Sequence, residues 1–277
     1  MAEDGLRCGL YLPPFGPFGD PDVVVDLAVR AEAAGWDGVF LWDHVVSDTP
    51  PIADPWTTLA AMATATRHIL LGPTITPLPR RRPWVVARQA STVSRLSRGR
   101  LVLGAGLGSD EAGDFSRFGE ETGLGARSAM LDEGLRIVRA VWSGERSDLT
   151  GTHYEVHLEV GAPEPHAIPI WIGSSTRHQR VIRRAAANDG IFPISDHTLT
   201  PEEVSDIAES LRDAGVGPGR RYDVVVAGNA SSAWERPNPD GVDLAATAEA
   251  GATWWLESLI HLDPLALSLE VVDAGPP

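Results

Sequence analysis

The feature that most constrains this chain is a rhythm. Short apolar runs suited to strands alternate with amphipathic stretches of helical length along its whole course, the pattern of repeated βα units and a parallel sheet. Strand-type runs fall at residues 8–12, 38–42, 69–75, 101–103, 169–172, 190–192, 223–227 and 253–256. Between the first two, Val24, Leu27, Ala28 and Ala31 recur on one helical face until Gly35 stops the helix. Stretches 55–66 and 83–96 both open on proline, which suits a first helical turn. Eight strands with eight crossovers close most simply into a (β/α)8 TIM barrel, an α/β fold whose usual size of ~250 residues suits 277. A doubly wound open sheet is the alternative. The sequence predicts one barrel domain over residues 1–277 with two insertions. Residues 109–125 follow strand four, and residues 144–166 precede strand five as a hairpin centred near 151–160, outside the barrel.

A net charge of −15 repels phosphate backbones and anionic membrane surfaces. Nucleic acid and membranes are therefore excluded as partners, and a small-molecule substrate is expected. Cys8 is the single cysteine, which leaves no internal disulfide framework or thiolate metal cluster and suits a reducing compartment. The start, Met1-Ala2-Glu3-Asp4, lacks the basic flank and apolar run of a secretory signal, and no stretch approaches ~18 uninterrupted apolar residues. A soluble, cytoplasmic protein is expected, with a homodimer as its assembly.

In a parallel barrel the loops that follow the strands build the site. His44, just past strand two and beside Asp43, can carry a proton near neutral pH; a structural or capping histidine is the alternative. After strand four comes Gly104-Ala105-Gly106-Leu107-Gly108-Ser109, and a dinucleotide fingerprint would need glycine where Ser109 stands. Gly106, Leu107 and Gly108 are read instead as a loop whose missing side chains let a flat ring lie close to the backbone. Gly173, Ser174, Ser175 and Thr176 precede a helical stretch, and their free N–H groups at its positive end make an anion cradle or an ordinary cap. His153, Glu155 and His157 would share one strand face, but an exposed hairpin face is the better reading and no metal is expected. The chain has no G-x-S-x-G elbow and no His-x-His after its first strand, which argues against a hydrolase.

Taken in order, these clusters resemble the luciferase-like flavin-dependent oxidoreductases, and among them the branch that uses the deazaflavin coenzyme F420. The stretches that carry the likeness are Ala33-Ala34-Gly35-Trp36-Asp37-Gly38-Val39-Phe40, Trp42-Asp43-His44, Asp54-Pro55-Trp56, Leu71-Gly72 and Gln89-Ala90-Ser91-Thr92. Further along come Leu96-Ser97-Arg98-Gly99-Arg100, Leu103-Gly104-Ala105-Gly106, Pro169-Ile170-Trp171-Ile172-Gly173 and Asp189-Gly190.

The resemblance implies a cofactor ring against the ends of strands three and four, with Asp43, Thr74, Ile75, Thr76, Gly106, Leu107 and Gly108 around it. It places the cofactor phosphate at Gly173, Ser174, Ser175 and Thr176, makes His44 the catalytic proton carrier, and implies a non-prolyl cis peptide at Thr74–Ile75. The expected function is hydride transfer between F420 and a small organic substrate. An FMN-dependent monooxygenase and a non-catalytic flavin-binding protein are the alternatives. Two positions depart from the deazaflavin sugar-phosphate dehydrogenases, Ser109 in place of a glutamate and Asp48 in place of a tryptophan, which argues against that activity. F420 is expected to bind more tightly than FMN because Arg80, Arg81 and Arg82 would face its acidic glutamyl tail, unless they pair with nearby carboxylates.

Overall fold

The structure, a computed structural model, describes residues 5–231, 238 and 240–277; Met1-Ala2-Glu3-Asp4, and with them the reading of the chain's start, lie outside it. The strands are Arg7–Leu12, Gly38–Leu41, Leu70–Pro73 continued by Thr76–Pro77, Leu103–Gly106, Ile170–Ser174, Gly190–Pro193, Asp223–Gly228 and Trp254–Ser258. Each pairs in parallel with its sequence neighbours, and the first pairs with the last. Between strands three and four the closure is made by Leu71 N–H donating to Arg100 O at 3.0 Å and Val102 N–H to Leu71 O at 2.9 Å. The result is the expected TIM-like barrel.

Two boundaries differ from the sequence reading, and both matter at the site. Strand three is split by a cis peptide at Thr74–Ile75. Strand four begins at Leu103 rather than at Leu101, so Gly104 and Gly106 lie within the strand instead of in a loop after it.

Helices follow every strand: Pro21–Ala34, Pro55–Ala65, Pro83–Ser97, Leu124–Ser143, Gln179–Ala186, Pro201–Asp213, Leu244–Glu249 and Leu265–Ala274. Their starts are set by local chemistry. Asp20, Asp54 and Asp243 accept backbone N–H bonds at three N-termini, and Thr200 with Glu203 forms a reciprocal box at a fourth. Gly35, at φ 90°, ends the first helix in the left-handed conformation that glycine adopts without strain. The insertion before strand five is an antiparallel hairpin, Ser147–Thr150 against Glu155–Leu158, in a sheet separate from the barrel. Its turn lies at residues 151–154. There His157 bonds Asp148 at 2.8 Å on an exposed face. No helix among the described residues is long and apolar enough to cross a membrane.

Apolar side chains fill two shells. The outer shell lies between strands and helices, and the inner is built on Phe40, Trp171 and Trp254, with Val102, Phe192, Val225 and Leu256. The three large rings meet at centroid distances of 5.1–5.5 Å. They fit only because the strands yield space: a Cβ at Gly38 would stand 2.5 Å from the Phe40 ring, and one at Gly190 2.4 Å from Trp171. Below them Asp223 accepts from Trp171 Nε1 at 3.0 Å and pairs with Arg7, whose guanidinium lies 4.3 Å from the Trp254 ring centroid. The lower end of the barrel is thus closed, and the open end is where the strands point.

Truncating the central ring should therefore be costly. Trp171→Ala is expected to lower unfolding free energy by about 3–5 kcal/mol, the range for deleting a buried aromatic, as read by denaturant titration. A loss below about 1 kcal/mol would show that the inner shell is not what holds the barrel.

Candidate active site at the barrel mouth

The C-terminal ends of the strands surround a cavity of about 1110 Å³. Of the expected site residues, Asp43, His44, Thr74, Ile75, Gly106, Leu107, Gly108, Gly173, Ser174, Ser175 and Thr176 line it. Thr76 does not; it is fully buried, and its hydroxyl donates to Asp43 Oδ2 at 3.0 Å.

His44 is held by a carboxylate that sequence reasoning did not find. Its Nδ1 donates to Asp114 Oδ2 at 2.5 Å, from a loop seventy positions on. Asp114 Oδ1 accepts from Val45 N–H at 2.8 Å and Val46 N–H at 3.2 Å, so one carboxylate fixes both the imidazole and the backbone beside it. Arg80 Nη1 lies 3.0 Å from the same Oδ1, off the hydrogen-bond line, and contributes as a charge. Burial alone would raise the Asp114 carboxyl. The His44 and Val45 hydrogen bonds and the charges of His44 and Arg80 outweigh it and hold the group below the usual carboxylate range. This arrangement fixes which imidazole nitrogen faces the carboxylate and leaves Nε2 as the other proton site.

The loop that carries Asp114 is itself anchored. Phe115 is buried, with the Arg127 guanidinium 4.6 Å and that of Arg80 5.9 Å from its ring centroid. Arg127 Nη1 also donates to Gly108 O at 3.1 Å. Gly108 has φ 76°, and a Cβ there would meet the Phe115 ring at 2.9 Å, so glycine is required for both backbone and space.

Two sequence expectations are corrected here. Arg80 and Arg81 do not face the cavity. Asp43, buried to 1% exposure, takes Arg80 Nη2 at 2.8 Å, Arg81 Nε at 2.8 Å and Arg81 Nη2 at 2.7 Å. Arg82 is exposed at the start of the third helix, over Trp84. Pairing with a nearby carboxylate has taken two of the three cations, because an unpaired buried carboxylate would be far more costly. Likewise, the space above the strand-four glycines belongs to Ile75. A Cβ at Gly106 would stand 2.7 Å from Ile75 Cγ2, and one at Gly173 2.2 Å from Ile75 Cγ1. These glycines receive the bulged isoleucine, and Ile75 meets the cavity beside them.

At strand five, Ser174 Oγ accepts from Thr176 N–H at 3.1 Å, turning the chain before the helix that starts at Gln179, two residues later than expected. That helix brings the cations the site was expected to have elsewhere. Arg180 and Arg184 line the cavity and share Asp132, at 2.8 and 2.6 Å. Arg177 bonds Glu203 at 2.7 Å. The run Arg177, His178, Arg180, Arg183, Arg184 was legible in the sequence as a cationic helix start.

Because folding lowers the Asp114 carboxyl below its unfolded value, its stabilisation is complete above the unfolded value and fades as pH falls through the folded one. Asp114→Asn should thus be less stable than the parent by about 1.5–3 kcal/mol at pH 7, the worth of a charged hydrogen bond. The gap should close on acidification. A gap that persists unchanged well below the carboxylate range would show that the ion pair is not its source.

With the geometry in place, comparison with known proteins is informative. A family description for luciferase-like monooxygenases matches residues 7–250. The chain is 32% identical over 239 residues to the F420-dependent glucose-6-phosphate dehydrogenase of Nakamurella multipartita, covering 80% of this chain and 66% of that one. It is 33% identical over 217 residues to the protein of the same name from Nocardia farcinica, covering 70% and 60%. The chain thus spans less than two thirds of the length of these relatives. In fold it is similar to the monooxygenase RslO1 from Streptomyces bottropensis, with a TM-score of 0.76 at 20% identity over 96% of each chain. It is similar too to an F420-dependent secondary alcohol dehydrogenase solved with an F420-acetone adduct, at 0.75, 16% identity and 98% of each chain. The barrel agrees with these matches, and the chain belongs to the luciferase-like monooxygenase family.

Proposed function

We propose that this protein is an F420-dependent oxidoreductase that moves a hydride between the deazaflavin and a small organic substrate. The observation that carries the reading is the pairing, in one cavity, of the His44–Asp114 dyad with an anion cradle whose helix is rich in arginine. Residues present fit the cofactor. Thr74 Oγ1 is buried without a partner on the cavity wall, and a ring heteroatom would satisfy it. Ile75 would support the ring, and Gly173, Ser174, Ser175 and Thr176 would take the phosphate at the positive end of their helix. Arg177, Arg180 and their neighbours would meet the acidic tail, which FMN lacks, and so take the part first given to Arg80, Arg81 and Arg82.

When bound, the reduced deazaflavin supplies a hydride. The protein's own part is to hold the proton that balances it. The His44 imidazole, oriented through Nδ1 by Asp114, carries that proton at Nε2 and delivers it to the substrate, or takes it away in the reverse direction. The names of the curated relatives and of the alcohol dehydrogenase neighbour support the cofactor class.

Equilibrium titration should show F420 binding more tightly than FMN, with an affinity that weakens as salt is raised. The double variant Arg177→Ala/Arg180→Ala should lose about 5-fold or more in F420 affinity, as expected for removing exposed charge contacts worth ~1 kcal/mol, and lose less for FMN. Tighter FMN binding would favour the FMN monooxygenase reading instead. His44→Ala should keep the fold and lower turnover by about 10²–10⁴. Unchanged turnover would reduce His44 to packing, and no turnover in the parent protein with any substrate would favour a flavin-binding protein.

A further inference from the structure

We infer that the substrate is an uncharged molecule with a flat or apolar body, seated on a wall of Tyr11, Trp42 and Phe192 with the Tyr11 hydroxyl as its hydrogen-bond donor. This rests on the reading of the site as a redox active site and goes on to name what that site accepts.

The wall is continuous. The Tyr11 ring lies 5.3 Å from Trp42 and 5.2 Å, edge-on, from Phe192, and Trp42 lies 6.0 Å from His44. All four residues line the cavity. A molecule on this surface is therefore beside the imidazole, on a wall that crosses the mouth from strands one and two to strand six, where Phe192 is in register with Gly173 of strand five. Aromatic faces bury flat and apolar bodies well.

The pairing of the arginines around the cavity disfavours a phosphorylated substrate. Among the described residues the arginines that line the cavity are Arg180 and Arg184, both on the fifth helix and both bonded to Asp132. Arg80 and Arg81 are held by Asp43 and do not line it. Carboxylates do line it: Glu111, Asp114, Asp196 and Asp240, besides Asp43. A phosphate dianion beside His44 would find its nearby arginines already paired, Arg80 and Arg81 with Asp43 and Asp114 and Arg180 and Arg184 with Asp132, so its desolvation would go largely uncompensated.

Tyr11 supplies the one feature of recognition that an uncharged substrate needs. Its hydroxyl has no hydrogen-bond partner among the described residues, and it stands between two aromatic rings. Burial pushes the phenol up, so it stays protonated and can donate at neutral pH. A carbonyl oxygen is the matching acceptor. The sugar phosphate in the names of the curated relatives has the wrong charge for this wall.

Isothermal titration calorimetry tests this with acetophenone, cyclohexenone and glucose 6-phosphate as probes, each on the full chain alone and with saturating F420. The two ketones should bind more tightly than glucose 6-phosphate in both forms. Tyr11→Phe should weaken ketone binding by about 3- to 10-fold, the loss of one neutral hydrogen bond, with circular dichroism melting unchanged. Trp42→Leu should weaken it further. Tighter binding of glucose 6-phosphate, or ketone binding indifferent to both substitutions, would overturn the inference. F420 binding measured in the same series is read separately. If F420 fails to bind while the ketone preference and the Tyr11 effect hold, the cofactor reading falls and the wall stands.

Discussion

The arrangement at the barrel mouth depends on one chain of buried charges. Asp43 binds Arg80 and Arg81, Arg80 reaches across to Asp114, and Asp114 binds His44. The side chains of Asp43, Arg80 and Asp114 are almost wholly withdrawn from solvent. Such groups persist only where every charge is compensated, and removing one partner leaves the next uncompensated. The chain therefore does more than hold its own members. It joins the ends of strands two and three to the insertion after strand four, and so sets where His44 stands relative to Ile75 and the Gly173–Thr176 turn. The imidazole's place is set by partners that are themselves buried and paired.

How far this was legible in the sequence follows from the range of the interactions. The eight strands and eight crossovers could be read because periodicity is local, and the caps Asp20 and Asp54 sit where their helices were expected to start. His44 was found because a titratable residue just past a barrel strand faces the mouth by construction. What failed was whatever depended on a distant partner. Asp114 lies seventy positions from His44 in a loop without periodicity, and nothing in its neighbourhood marks it. Arg80 and Arg81 looked like free cations because Asp43 comes thirty-seven and thirty-eight positions earlier. The glycines of strand four were correctly read as places of close approach. A missing side chain shows that something comes near but not what, and here it is Ile75.

The cavity that results has two unlike kinds of lining. Strands three and five give it the bulge, the small residues of the turn and, through the fifth helix, its arginines. Strands one, two and six give it aromatic rings, a phenol and His44, with Phe192 of strand six in register with Gly173 of strand five. An anionic, elongated cofactor would find the turn and the arginines suited to it and an uncharged partner the rings beside His44, the two linings meeting where Phe192 pairs with Gly173. The barrel beneath contributes rigidity: the Phe40, Trp171 and Trp254 rings fill its centre and leave the upper ends of the strands little room to shift.

The most direct test of this account is a crystal structure of the protein with F420. The account predicts the deazaflavin ring against Ile75, its phosphate within hydrogen-bond distance of the backbone at Ser174, Ser175 or Thr176, and the tail along the arginines of the fifth helix. In that complex the face of the ring turned toward His44 and Tyr11 would be open to substrate. A phosphate bound elsewhere, or a ring seated on the aromatic wall with His44 turned away from it, would contradict the division of the cavity on which the proposed chemistry rests.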